Sequence, residues 1–389
     1  MKASVRVLAC ALGILVSAPV RADVSAVVAI EPTERKAGLL LSRFSLQEQL
    51  GKLLGQEVNV STSEDMTDVM RATRSGGYDV FIAPAQVAAS ALAHGYELVG
   101  ATDASEQYLL VGRSALGSTA ELRKGRIYLP QQDSIYTYLA RGMLNASGLS
   151  LKDLRLVQYA RYPMAGLAAV SLGLTDATVV RREDWEAWSK DNPGVAKVLA
   201  SSGAVPGGFS VAVKKDLPPD VRGRVAKWFT APAAASGLKP VVHLAEMGQY
   251  KAVAQLGTFT PTHLPSATVV TAAQVQQLIA QGAVVVDTRN EKEYRSKQIP
   301  GAVFVPYHEK SLKDVAYEAS LDDFSGLAKL DPAKPTIFHC NGAECWKSYK
   351  ASRAALAKGF KQVYWFRGGL PEWEAAGLQV LREVQVAKR

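Results

Sequence analysis

Cysteine is close to absent from this chain, with three in 389 residues, and the first of them stands in a stretch marked for removal. MKASVRVLACALGILVSAPVRA sets Lys2 and Arg6 before the apolar run from Val7 to Val16 and closes on small residues at Ala22. That is the layout of a secretory signal peptide over residues 1–22, and Cys10 leaves with it. A lipidated Cys10 is the alternative, but Val7, Leu8 and Ala9 give it almost no apolar segment upstream. Long apolar runs are lacking too. The leader falls short of the ~20 residues of a membrane span, and no later segment is longer or cleaner, so a soluble exported protein is expected, with a retained N-terminal anchor as the other reading. Short-period repeats, low-complexity tracts and arginine-rich runs interleaved with aromatics are also missing. The formal charge of +9 and pI near 9.3 therefore describe a generally cationic surface. Nucleic acid is excluded as the expected partner, while anionic small molecules stay compatible.

What remains of the cysteines is Cys340 and Cys345, five positions apart in FHCNGAECWKS. In an exported, oxidising setting two such thiols either pair or are kept poised by redox partners. The clearest break in the chain lies well before them, in FTPTHLPSAT from Phe259, where hydroxyl residues and two prolines interrupt the patterns on either side. It divides the chain into a signal peptide (1–22), a first module (23–259), a linker (260–268) and a second module (269–384).

In the first module, apolar strand-like runs alternate with amphipathic stretches. SAVVAI precedes FSLQEQLGKLLG, with Leu46, Leu50, Leu53 and Leu54 at helical spacing, and EVNVST reads as the next strand. MTDVMRATRSGG reads as a helix closed by Gly76 and Gly77, delivering the chain into YDVFIAP. GRIYLP and LRLVQYA start the pattern again, which predicts two parallel α/β lobes with a ligand cleft beyond the carboxyl ends of their strands.

The ordered stretches YDVFIAPAQVAASALAHGYELVG, YLLVGRSALGSTAELRKGRIYLPQQDSIYTYLARGML, GLTDATVV and VPGGFSVAVKKDLPPDVRGRVAKWF resemble the phosphonate-binding-protein-like branch of periplasmic solute-binding proteins, over about Val24 to Phe259. The resemblance implies a clamshell that closes on a small, often oxyanionic, solute in the periplasm, and an ABC transporter membrane component as a partner. Ser134, Tyr136 and Thr137 sit where a strand turns into a helix, so hydroxyls and free N–H groups converge there on an anion. Plain helix capping calls for the same residue types. The family's turn here contains glycine, whereas DSIYT brings Asp133 and Ile135 instead, a departure that argues against phosphonate itself. Ala83 and Pro84 would form the opposite cleft wall. Arg161 and Tyr162 are further candidates, as a cation and a ring, or simply exposed loop residues.

After the linker, Thr271 reads as the N-cap of a helix leading into the strand AVVVDTR, and strands alternate with helices to the end. VVDTRNEKEY, IPGA, FHC ahead of a helix, GF, and FRGGLPEWEAAG resemble the rhodanese homology domain across nearly all of Ala267 to Val380. That resemblance implies a small α/β domain with a parallel sheet and makes Cys340 the catalytic cysteine, which accepts a sulfane sulfur as a persulfide and passes it on. The residues argue the same way: a thiol at a strand end, in a loop feeding a helix N-terminus, meets unpaired N–H groups and the positive end of the helix dipole, and both favour thiolate. Lys347 adds positive charge, or is a solvated surface lysine.

Cys345 departs from the usual rhodanese loop, which is about two residues shorter and closes on arginine or serine, and CNGAECWKS resembles a secreted subgroup with a Cys…Cys-Trp loop. A second thiol five residues on can resolve a Cys340 persulfide into a disulfide. A permanent stiffening disulfide is the alternative, and a zinc site with His339 lacks further ligands, so neither metal nor cofactor is expected. His339 points away from its neighbour Cys340 on the strand, which argues against a base role. With Trp346 and Lys347 where cysteine-dependent phosphatases carry arginine, phosphatase activity is disfavoured. Asp287, Arg289 and Glu293 match family landmarks and read as structural ties; Gln298 replaces a histidine; Gly368, Gly369 and Trp373 read as turn and core residues.

Three function classes follow: a sulfurtransferase or thiol-redox enzyme whose clamshell captures a small anionic solute or sulfur compound, served by a periplasmic thiol reductant or redox protein; a transporter or sensor binding protein with a regulatory rhodanese domain; or a docking adaptor. The intact nucleophile position favours the first.

Overall fold

The computed structural model describes residues 24–31, 43–230, 240–241 and 247–382; the expected signal peptide, with Cys10, lies outside them. The chain begins with β1 (Val24–Ala29), α1 (Arg43–Leu54), β2 (Val58–Ser63), α2 (Met66–Ser75), β3 (Val80–Ala83), α3 (Ala85–Ala93) and β4 (Tyr96–Thr102). The short β5 (Ser105–Glu106) leads to a second sheet, built from β6 (Tyr108–Arg113), β7 (Arg126–Leu129), α4 (Ile135–Ala146), β8 (Leu156–Tyr159), α5 (Met164–Ser171), β9 (Ala177–Arg181), α6 (Arg182–Asp191) and β10 (Ala196–Ser201). The chain then returns through β11 (Val205–Pro206) to β12 (Ser210–Lys214), α7 (Pro219–Phe229), β13 (Pro240–Val241) and α8 (Met247–Gln255).

The two sheets run β13-β4-β12-β3-β1-β2 and β10-β6-β9-β7-β8. They are mixed, not parallel as the sequence pattern suggests. Strands joined by helical crossovers pair parallel, as in β1 with β2 and β3 and β7 with β8 and β9. The reversed strands are β6 in the second sheet and β12 and β13 in the first; β6 and β12 are each the strand with which the chain enters a sheet after leaving the other one, and β13 follows β12 through α7 in the same direction. A crossover helix brings the chain back to the same edge and so preserves direction, whereas a passage between sheets does not.

Local signals behave as chemistry dictates. Asp65 caps α2 by accepting from the Asp68 N–H, and Gly76 ends it in the left-handed region at φ 69°. Leu46, Leu50 and Leu54 bury one face of α1 against the first sheet, with Val221, Val225 and Phe229 of α7 in the same cluster. A larger cluster joins the lobes, combining Phe81, Ala85 and Ala88 with Tyr108, Ile127 and Leu139.

The second module is a five-stranded, wholly parallel sheet in the order β14-β18-β17-β15-β16, made of β14 (Thr268–Val269), β15 (Val284–Asp287), β16 (Val303–Phe304), β17 (Thr336–His339) and β18 (Val363–Phe366). Its helices are α9 (Ala272–Ala280), α10 (Glu291–Ser296), α11 (Trp346–Ala357) and α12 (Gly369–Ala375). Thr271 and Gln274 form a capping box at α9, and Asn290 and Glu293 form another at α10. Central β17 is buried along its whole length, which suits an apolar run covered on both faces.

The segment between the modules is strapped to the second one. Thr260 donates through its N–H (2.8 Å) and its hydroxyl (2.7 Å) to the Ala343 carbonyl, and Leu264 packs among Trp346, Tyr349 and Trp365. The path of 260–268 therefore bears on the cysteine loop.

Candidate functional site

β17 carries Cys340 to its carboxyl end, and the chain turns through 341–344 before Cys345 takes the N-cap position of α11 at φ −92° and ψ 108°. The two cysteines form a disulfide with Cα atoms 6.1 Å apart. Gly342 sits at φ 93°, which only glycine adopts at low cost, and its carbonyl accepts from the Cys345 N–H at 3.0 Å. Both cysteines are buried, Cys340 at 1% exposure and Cys345 at 8%.

Gly369 is more than a turn residue. At φ 57° it brings the start of α12 against the Cys340 carbonyl so closely that a side chain at this position would collide with that oxygen. The Leu370 N–H then donates to the same carbonyl at 3.0 Å. The backbone of the loop is clamped between two helix starts.

Behind the loop lies a buried polar chain. Arg289 donates through Nε (3.0 Å) and Nη2 (2.7 Å) to Asp287, and through Nη1 (3.4 Å) to Asn341, whose amide donates to Glu293 Oε1 at 2.7 Å. Burial alone would raise the Asp287 carboxyl, but neighbouring charges and the Arg289 hydrogen bonds hold it below the ordinary carboxylate range. His339, fully buried 3.6 Å from Asp287, is pushed below the ordinary imidazole range by burial, against the pull of that carboxylate. Asp287, Arg289 and Glu293 thus stand where structural ties were expected, in direct contact with the residue next to Cys340.

Lys347, one residue into α11, is half-buried, and burial together with the charge of Arg71 lowers its pKa. A cavity of about 350 Å3 opens here, lined by Cys340, Cys345, Trp346 and Lys347 on one side and by Arg71 and Arg74 of α2 on the other. Two residues of this region were not singled out from the sequence. Lys350 is fully buried, with Nζ donating to Ser311 Oγ at 2.7 Å and lying 2.6 Å from Glu309 Oε1, which ties α11 to the 309–311 loop. Its spacing three residues after Lys347 on one helix face was the available signal. Arg71 had no such signal, because it belongs to the other module.

In the first module, Ser134 is the N-cap of α4 and accepts from the Tyr136 N–H at 3.3 Å, while the Thr137 hydroxyl donates to the Gln131 carbonyl at 2.8 Å. Both are fully buried, as is Tyr136, whose ring meets that of Tyr108 edge-on at 5.0 Å. Ala83 ends β3 and Pro84 caps α3, so Gln86 reaches across from the first turn of α3 and donates to the Asp133 carbonyl at 3.3 Å. The group at the centre of this arrangement is one the sequence reading missed. Glu31, just past β1, accepts from the Ile135 N–H at 2.9 Å and from Gln86 Nε2 at 2.8 Å. A carboxylate of the chain itself thus takes the first free N–H of α4. Burial pushes Glu31 up to about 7, against the hydrogen bonds from Ile135, Ser134 and Gln86. Arg161 and Tyr162 stand apart from this group: Arg161 pairs with Glu64 and lies over the Tyr162 ring at 5.6 Å, beside a separate open recess with Gln131 and Tyr159.

The modules meet through polar contacts. Lys313 forms a buried ion pair with Asp133, Arg74 meets Glu344 at 3.1 Å, and Trp346 Nε1 donates to the Thr258 carbonyl at 3.0 Å. Lys313 holds Asp133 below its ordinary range although burial acts the other way. Among the described residues no group of three or more His, Cys, Asp and Glu is placed to hold a metal ion, and no helix is long and apolar enough to cross a membrane.

Residues 28–256 match the family model for the ABC transporter, phosphonate, periplasmic substrate-binding protein, and residues 271–376 match that for the rhodanese-like domain. Thiosulfate sulfurtransferase GlpE of Pseudomonas savastanoi pv. phaseolicola is 33% identical over 102 residues, which cover 26% of this chain and 82% of that protein. GlpE of Pseudomonas syringae pv. syringae is 32% identical over 100 residues, covering 26% and 80%. Among solved structures, PhnD1 from Prochlorococcus marinus in complex with methylphosphonate has a TM-score of 0.46 at 16% identity, covering 60% of this chain and 97% of that one. The aliphatic sulphonate binding protein SsuA from Escherichia coli has a TM-score of 0.37 at 16% identity, covering 60% and 79%. The chain belongs to the phosphonate-binding family of periplasmic substrate-binding proteins and carries a rhodanese-like domain, with sulfurtransferase relatives, as its second module.

Proposed function

We propose that the protein is a periplasmic sulfurtransferase in which Cys340 accepts a sulfane sulfur and Cys345 resolves the persulfide. The observation that carries this reading is the cysteine pair at the end of β17, bonded across a loop that feeds the N-terminus of α11 and opens onto a cavity. The helix N-terminus stabilises a sulfur anion formed there.

With thiosulfate as donor, the Cys340 thiolate attacks the sulfane sulfur, the S–S bond breaks and sulfite leaves with the electron pair, giving a Cys340 persulfide. The Cys345 thiolate then attacks the Cys340 sulfur, the outer sulfur departs as sulfide and takes a proton from water, and the Cys340–Cys345 disulfide forms. The two thiolates supply the two electrons that reduce the sulfane sulfur. A periplasmic dithiol reductant restores the pair by thiol–disulfide exchange. Lys347 stabilises the anions that gather at this site.

Intact mass of the reduced protein after thiosulfate treatment tests this. A persulfide or disulfide with stoichiometric sulfide release is expected, with loss of both in Cys340→Ser and an unresolved persulfide in Cys345→Ser. Sulfide release at an undiminished rate in Cys345→Ser would end the resolving role.

In this reading the clamshell holds a small anionic solute, with Ser134, Tyr136, Thr137, Ala83 and Pro84 at its closed centre and Arg161 and Tyr162 at its rim. A solute taken at the α4 N-terminus displaces Glu31. A second reading, delivery of a solute to an ABC transporter membrane component with the rhodanese-like domain as a regulatory attachment, is favoured by the match of the family model over 28–256. Ligand-induced thermal stabilisation by phosphonates or sulfonates, undiminished in Cys340→Ser, would favour this second reading.

A further inference from the structure

We infer that the sulfur site is shared between the modules: Arg71 of the clamshell, with Lys347 of the rhodanese-like domain, seats the anionic end of a small sulfur oxyanion of the thiosulfate or thiosulfonate class. This inference rests on the sulfurtransferase reading for the identity of the ligand and on the cavity geometry for its place.

The loop CNGAECWKS contains no arginine and its one cation is Lys347, so a guanidinium to match an oxyanion has to come from elsewhere. The cavity beside the disulfide supplies it. Its far wall is α2, whose Arg71 and Arg74, three residues apart, face the cysteine loop. Arg74 is committed, in a largely buried pair with Glu344. Arg71 is held less tightly: Nη2 meets the half-exposed Asp68 at 2.7 Å and Nε lies 3.7 Å from Glu293 Oε1. That Glu293 oxygen also accepts from Asn341, the neighbour of Cys340, so Arg71 is connected to the cysteine loop through one shared carboxylate.

On the near wall, Lys347 has no carboxylate within ion-pair distance among the described residues; burial and Arg71 disfavour its charge, and Glu293, Glu309 and Asp68, which also line the cavity, favour it from further off. The carboxylates of this lining are drawn to other partners, Asp68 to Arg71, Glu344 to Arg74 and Glu309 to Lys350, so the Lys347 ammonium beside the sulfur pair is left for an anion to meet, with Arg71 at the opposite wall. A cavity of about 350 Å3 admits such an ion and leaves room for an attacking thiol. The chemistry needs it as well. A thiolate attacking a dianion meets like-charge repulsion, and the departing sulfite concentrates charge on its oxygens, where a guanidinium fork and an ammonium act best. The Cys340–sulfur bond forms as the donor S–S bond breaks, and sulfite leaves towards Arg71 and Lys347.

The test uses the full mature chain in a Cys345→Ser background, so that Cys340 is the reacting thiol, and compares alkylation by the anion iodoacetate with alkylation by neutral iodoacetamide. Arg71→Ala is expected to lower the iodoacetate-to-iodoacetamide rate ratio roughly five- to tenfold, with the iodoacetamide rate unchanged and Arg71→Lys in between. In the protein with both cysteines, Arg71→Ala raises KM for thiosulfate. A ratio unaffected by Arg71→Ala, or equal losses with both reagents, overturns the shared site even where the persulfide still forms. An Arg71-dependent ratio in a protein that forms no persulfide with thiosulfate supports the shared anion seat and removes the sulfurtransferase reading instead.

Discussion

The helix N-termini at Ile135 and Trp346 are built alike and occupied differently. Each follows a strand through a short turn, and each presents free N–H groups to whatever lies beyond. In the first module the occupant is Glu31, a carboxylate of the same chain, enclosed with Ser134 and Gln86. In the second the N-cap residue is Cys345, whose side chain makes no capping hydrogen bond and is instead bonded to Cys340 beside a cavity. The same backbone device therefore faces an enclosed carboxylate in one module and a disulfide beside a cavity in the other, and the side chain that reaches it makes the difference.

The largest effect tests how far the two sites depend on each other. Lys313 and Asp133 pair across the module junction at the edge of the α4 turn, both nearly buried. Lys313→Ala leaves the Asp133 carboxylate without its counter-ion, and a loss of about 3–5 kcal/mol is expected in chemical denaturation. Unfolding that separates into two transitions would show the junction itself giving way; a loss under about 1 kcal/mol would show the pair to be no more than a surface contact.

The Glu31 carboxyl gives the next effect, with a definite sign. Its pKa rises from 4.5 in the unfolded chain to about 7 in the folded one. Below 4.5 it is neutral in both states and costs nothing. Between 4.5 and about 7 only the unfolded state ionises, so stability falls as pH rises, and above about 7 the loss levels off at on the order of 3 kcal/mol. Glu31→Gln is expected to flatten this dependence and to raise Tm at pH 8. An unchanged Tm slope between pH 5 and pH 8 in that variant would show that Glu31 is not enclosed as described.

The smallest effect separates capping from recognition. Ser134→Ala removes one N-cap acceptor and is expected to cost about 1 kcal/mol, as is Thr271→Ala at α9. If Ser134 only caps, the two variants lose stability alike and solute affinity stays put; an affinity loss confined to Ser134→Ala marks it as a ligand contact.

Much of the architecture is legible in the residues. Leu46, Leu50 and Leu54 announce the buried face of α1, Gly76 its neighbour's end, and Thr271 the start of α9. The all-parallel second sheet follows from crossover connections between successive strands, helical except for the long loop from β16 to β17. The mixed character of the first two sheets was not legible, because strand direction there depends on which sheet the chain has just left. Of the residues around the cysteines, Cys340, Cys345 and Lys347 share one loop and one helix start, so their meeting in one cavity wall is a local matter. Arg71, on the facing wall, stands some 270 residues earlier, as its neighbour Arg74 does from its partner Glu344, and no local pattern announces such an approach.

The sequence by itself determined the order of elements, their caps and the two thiols five residues apart, because these rest on propensity, periodicity and short loops that close within a few residues. Only the tertiary structure decided that Glu31 fills the α4 N-terminus, that Gly369 clamps the Cys340 carbonyl, and that α2 forms the far wall of the sulfur cavity. Those contacts join groups distant in the chain, and they form where packing of the sheets and modules leaves a buried polar atom that must find its partner.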